Sequence, residues 1–190
     1  HKEYRRQRQM CIRDRVTALL KQPCRPAVMG ERPLEVDADL RPEGKQGPLA
    51  RSMESYREYY RRWAEIWEVQ ALLRARPVAG ADDLAEEFTA WADSVRYPDD
   101  AGSGAIREIR RIKARVEAER LPRGADPARH VKLGRGGLSD VEWLVQTLQL
   151  RHAHEHASLR TTQTLAALEA LVQTGLLPAC LLYTSPSPRD

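Results

Sequence analysis

Residues 34–44 read Leu34-Glu35-Val36-Asp37-Ala38-Asp39-Leu40-Arg41-Pro42-Glu43-Gly44, and the fold class turns on them. Apolar and acidic side chains alternate strictly as far as Leu40, which is the period of a half-buried strand. Arg41-Pro42-Glu43-Gly44 then carries the signals of a turn. In a strand, Glu35, Asp37 and Asp39 share one face and Leu34, Val36, Ala38 and Leu40 the other. Three neighbouring carboxylates repel one another unless water or a cation screens them. Magnesium is a hard cation that commonly takes one or two carboxylates together with substrate phosphates. The stretch therefore reads either as part of a magnesium–nucleotide site or as a solvated edge strand whose charges oppose aggregation.

Outward from this strand the pattern changes to that of helices. Upstream, residues 16–21 fit the last turns of a helix, and Pro23, Pro26, Gly30 and Pro33 mark a loop. Downstream, Gly47-Pro48 punctuates a second loop, and Ser52 can cap a long helix. Met53, Tyr56, Tyr60, Trp63, Trp67 and Ala71 recur at three- and four-residue spacing, so one helix is predicted as far as about residue 76, before Pro77. Its aromatic stripe reads as core packing rather than as a stacking platform. Further helices are predicted at residues 82–95, with Leu84, Phe88 and Trp91 inward, and at residues 105–120, with Ile106, Ile109, Ile112 and Val116 inward. Ser139 opens another, reaching about residue 154. Thr161 or Thr162 opens the last, which Gly175 closes. There is no internal repeat.

The 190 residues are 42% hydrophobic and 31% charged, enough for one compact domain or two small ones. No apolar run approaches the ~20 residues of a membrane span, and the first residues lack the apolar core of a secretory signal. Cys11, Cys24 and Cys180 are too few and too scattered for a disulfide framework or a zinc site. The net charge of +4 is local: residues 1–15 hold six basic and two acidic side chains, and the remaining residues balance. A nucleic-acid footprint belongs on the folded surface, so no nucleic-acid partner and no membrane partner is expected, and the protein reads as soluble and cytoplasmic. Residues 1–15 and 180–190 read as foreign to the fold, like sequencing-adapter read-through, or else as ordinary disordered tails. On that reading the chain is a fragment of a longer protein.

A second candidate lies at residues 132–143, KLGRGGLSDVEW. Glycines let backbone turn tightly and approach a ligand, and a helix N-terminus favours anions. Lys132 and Arg135 would add positive charge for a phosphate. Equally, Ser139 and Glu142 stand at capping-box spacing, and acidic residues in a first turn are ordinary. His152 and His156 have i, i+4 spacing, but no third metal ligand accompanies them, so these and His130 and His154 read as surface residues. Arg107, Arg110, Arg111, Lys113 and Arg115, interleaved with Glu108 and Glu117, read as a solvated helix face.

Taken in order, LEVDADLRPEGKQGPLARS, WEVQALLRARPVAG and IREIRRIKARVEAERLPRGADPARHVKLGRGGLSDVEWLVQTLQLRHAH resemble the glutamine synthetase adenylyltransferases over about residues 16–179. That family has two nucleotidyltransferase halves, one adenylylating a tyrosine of glutamine synthetase and the other removing the group by phosphorolysis. RRIKARVEAERLPRGADP and the preceding VRYP are more similar to the adenylylating, C-terminal half. The resemblance implies a mainly α chain: the C-terminal edge of a nucleotidyltransferase α/β domain, with one acidic strand, followed by a helical bundle. Residues 16–50 would close the nucleotidyltransferase domain, 51–80 form a long connecting helix, and 81–179 a helical domain.

The resemblance also implies the chemistry. Three carboxylates of the family hold two magnesium ions that orient ATP, two from an upstream Gly-Ser…Asp-x-Asp segment and one from a later strand. The third matches Asp37, while Asp39 falls where the family varies. Arg41 matches the motif arginine and would steady phosphates or the turn. Gly136, Gly137, Asp140 and Glu142 match a family helix start that would line the cleft, with Lys132 and Arg135 as further phosphate-binding candidates. Glutamine synthetase and a PII-type signalling protein are the implied partners. No Gly-Ser…Asp-x-Asp run precedes Asp37 in this chain, so the isolated chain is expected to lack activity. Two rival readings are a uridylyltransferase acting on the PII protein, which lacks the WEVQALLRARPVAG-like run, and a non-catalytic helical module that docks a partner.

Overall fold

A computed structural model of the chain describes residues 15, 18, 37, 40–99 and 102–183. The chain divides into two units, residues 1–64 and 65–190. Among the described residues the regular elements are all helical. The strand predicted at residues 34–40 lies, apart from Asp37 and Leu40, outside the described residues, and neither of those two is in a strand. Leu40, which the alternation places on a covered face, is 76% exposed because the chain already bends there into the next turn. The described fold is thus mainly α, without the expected sheet edge.

In the first unit, Pro42 and Gly47 are buried, and the chain between them makes a 3-10 turn at Gly44–Gln46. A side chain on Gly47 would place its Cβ 2.0 Å from the Pro42 carbonyl oxygen, so this position needs glycine. Helix α1, Met53–Arg62, starts as the sequence predicts, with Ser52 Oγ accepting from the Ser55 amide at 3.3 Å. Tyr56 and Tyr60 stack one turn apart at 6.2 Å between centroids. Arg51 lies over the Tyr59 ring at 5.3 Å and pairs with Glu43, which docks the turn onto the helix.

The single long helix predicted over residues 51–80 is two helices. Helix α1 ends at Arg62, and Trp63, counted on the buried stripe, is 69% exposed and leaves the helical conformation at φ −127°, ψ −19°. Helix α2, Ile66–Leu72, starts afresh from Glu65. The Glu65 amide donates to Glu68 Oε2 at 2.9 Å, and Trp67 Nε1 donates to Glu65 Oε2 at 2.9 Å. The apolar period continues across the break, but this local carboxylate cap sets a new helix start.

The second unit packs around α2. That helix lies against α3 (Asp82–Arg96), α4 (Gly102–Arg120) and α5 (Leu138–His152). A 3-10 turn at Ala157–Leu159 and α6 (Thr164–Gln173) complete the core, and the short α7 (Cys180–Tyr183) touches α6. Its two leucines extend helical structure into the stretch expected to be a turn-rich tail. Leu73, Ile109, Val145, Leu150, Leu159 and Leu171 are essentially without solvent contact. Burying each such side chain stabilises by about 1.5–3 kcal/mol. Ile109 and Ile112 fill the predicted inward face of α4. Leu84 of α3 is 52% exposed instead, and Ala92 and Arg96 are the buried positions of that helix. Gly175, at φ +74°, closes α6 as predicted, but Gln163 rather than a threonine precedes its first turn.

Buried polar side chains tie the loops of this unit. Arg96 Nη1 donates to the carbonyls of Leu72 (2.7 Å) and Ala75 (2.9 Å), satisfying the end of α2, and its other nitrogens reach Asp93. A guanidinium can be buried here because its donors face acceptors. Tyr97 lies between Arg96 and Arg160, whose guanidinium carbons stand 5.2 and 5.5 Å from its ring centroid. Burial raises the phenol's pKa. Gln149 Nε2 donates to both Leu159 and Thr161 carbonyls at 2.8 Å, and Arg74 Nη1 to the Thr162 carbonyl at 2.6 Å.

Candidate functional site

The glycine-rich loop before α5 folds on its own backbone. The Gly134 amide donates to His130 O (2.7 Å) and the Gly137 amide to Gly134 O (2.9 Å). The first amides of α5 are taken in the same way, Leu138 by Val131 O (2.9 Å) and Ser139 by Lys132 O (3.0 Å). His130 Nδ1 accepts from the Leu133 amide at 3.0 Å, so this histidine braces the loop. Glycine is required where the strands of the loop meet: a Cβ on Gly134 would fall 2.5 Å from Pro127 O, and one on Gly137 2.6 Å from Val131 O. Gly136 has open space but a left-handed φ of +72°.

This closure changes the register read from the sequence. Gly137 is the N-cap, Ser139 is buried inside the first turn, and the Ser139–Glu142 capping box does not form. The Lys132 carbonyl already satisfies the Ser139 amide that such a box would serve. Glu142 is exposed and stands 3.8 Å from Arg74 Nη2. Lys132 and Arg135 are exposed, so the charged groups this loop offers outward are side chains, while its first helical amides face its own carbonyls.

Asp140 binds the loop to the rest of the unit. Its Oδ2 accepts from the Gly136 amide at 2.7 Å, and its Oδ1 stands 2.5 Å from Lys113 Nζ of α4. Lys113 also pairs with Glu117, one turn further along the same helix. Partial burial alone would favour neutral Asp140, but the hydrogen bonds from Lys113 and Gly136 outweigh it and hold its pKa below the usual carboxylate value. Burial likewise opposes the Lys113 charge, and the bonds to Asp140 and Glu117 outweigh it, so this ammonium is held above its ordinary range.

Sequence reasoning grouped Lys113 with a solvated basic face. Arg107, Arg110, Arg111 and Arg115 are indeed exposed, but Lys113 is on the flank of the buried face, with its side chain 26% exposed. The signal was its spacing: Lys113 is four residues from Ile109 and seven from Ile106, within the apolar stripe rather than opposite it.

Arg41 folds its own turn: Nε donates to Gly47 O at 3.1 Å and Nη2 to Lys45 O at 3.2 Å. Asp37 is exposed. Among the described residues no group of three or more His, Cys, Asp or Glu side chains converges as a metal site. Glu35 and Asp39, which flank Asp37 in sequence, lie outside the described residues. His152, His154 and His156, expected at the surface, are half-buried around the end of α5. Burial, with Arg151 nearby, lowers the pKa of His152. No described helix is long and apolar enough to cross a membrane.

Two family models match the chain. Residues 5–91, which take in most of the stretch 1–15, match the model described as glutamate-ammonia ligase adenylyltransferase. Residues 109–181 match the model described as GlnD PII-uridylyltransferase. A Mycobacterium leprae protein named bifunctional glutamine synthetase adenylyltransferase/adenylyl-removing enzyme is 56% identical over 168 residues, 88% of this chain and 16% of its own length. Proteins of the same name from Mycobacterium avium and Streptomyces coelicolor are 62% and 61% identical over 77% and 76% of the chain, each covered over 15% of its length. The chain belongs to the glutamine synthetase adenylyltransferase family. It spans about one sixth of the length of these family members. Within the family match, Asp37 and Arg41 fall in the adenylyltransferase model, and Lys113, Asp140 and the glycine-rich loop in the second.

Proposed function

We propose that this chain is the part of a glutamine synthetase adenylyltransferase in which the nucleotidyltransferase domain of the adenylylating, C-terminal half passes into its helical domain. The whole enzyme would transfer AMP from ATP to a tyrosine of glutamine synthetase in the cytoplasm, and its other half would remove the group by phosphorolysis. The observation that carries this reading is identity of 56–62% over three quarters or more of the chain to proteins bearing that name. The same identity favours adenylyl over uridylyl transfer, although residues 109–181 match the uridylyltransferase model.

Within this reading Asp37 is the one magnesium-facing carboxylate that the chain contributes, and the other two come from sequence N-terminal to it in the whole enzyme. Arg41 acts indirectly by holding the turn that follows Asp37 through its bonds to Gly47 and Lys45. Lys132 and Arg135, on the closed glycine-rich loop of the second unit, are the candidate phosphate-binding cations, Lys132 as a point charge and Arg135 through its planar fork. Asp140 holds the loop closed, Gly136 and Gly137 give it its shape, and Glu142 orients Arg74. A PII-type protein is the proposed regulatory partner.

The test places this chain in the Mycobacterium leprae relative in place of the matching 168 residues and follows AMP transfer from ATP to glutamine synthetase with magnesium. The chimera is expected to be active, and Asp37→Asn to lower transfer by on the order of a hundredfold or more. Unchanged transfer by the Asp37→Asn chimera overturns the assignment. The 190-residue chain alone is expected to transfer no AMP.

A further inference from the structure

We draw no further inference here: the strongest candidate, the exposed outer face of α4 formed by Arg107, Arg110, Arg111 and Arg115, carries none because nothing in the structure shows what covers it.

Discussion

In the turn at residues 41–47, the arginine points inward and donates to two carbonyls of its own loop, Gly47 and Lys45. In the loop before α5, backbone amides donate to the loop carbonyls and Asp140 accepts from the Gly136 amide, and Lys132 and Arg135 are left exposed. Both segments combine a cation, glycines and a carboxylate; from sequence the first reads as a turn whose arginine would steady phosphates or the turn itself, and the second as either a phosphate site or an ordinary helix start. The difference lies in which group closes the loop. Where the cation closes it, its charge is structural; where amides and a carboxylate close it, the cations remain available to a ligand.

This contrast breaks first at the glycines. Gly47→Ala must push the Pro42 carbonyl aside and is expected to destabilise the first unit by about 3 kcal/mol. Gly136→Ala meets only the left-handed backbone and should cost about 1–2 kcal/mol. Urea unfolding of the chain compares the two, and equal costs would mean that the two loops close in the same way. Arg41→Ala should cost about 1–2 kcal/mol, because two loop carbonyls lose a charged donor. Asp140→Asn is expected to cost about 1 kcal/mol at pH 7, by weakening the tie to Lys113.

The pH dependence of that last variant has a definite sign. The Asp140 pKa is lowered in the fold, so its contribution is fully present above the unfolded value, about 3.9, and fades as pH falls through the folded value. The Lys113 pKa is raised, so its contribution is present below about 10.4 and is lost as pH rises through the folded value. Asp140→Asn should therefore flatten the acid limb of stability below about pH 4 and leave mid-range slopes unchanged, as denaturation across pH would show. The smallest effect belongs to Arg135→Ala, within about 0.5 kcal/mol, since that side chain is exposed. A larger loss would show that the second loop, like the first, uses its arginine to stay closed.

The helical elements of the second unit were legible because each carries its own apolar period: Ile109 and Ile112 are buried where the spacing placed them. The same logic failed between residues 51 and 80. An apolar period runs through Trp63 without registering that the Glu65 and Glu68 carboxylates start a second helix. It failed again at Ser139, where capping spacing was present but the Lys132 carbonyl had already served the Ser139 amide.

The sequence alone determined the order of helices, the glycine positions at which turns close, and, through its ordered motifs, the family to which the chain belongs. These are properties of neighbouring residues, and short-range sterics and periodicity record them. Tertiary structure decided which charges remain available. The partners of Lys113, Arg96 and Arg74 lie 27, 24 and 88 residues away, at Asp140, Leu72 and Thr162. A cation's role depends on whether a distant acceptor reaches it once the helices pack, and no local pattern encodes that distance.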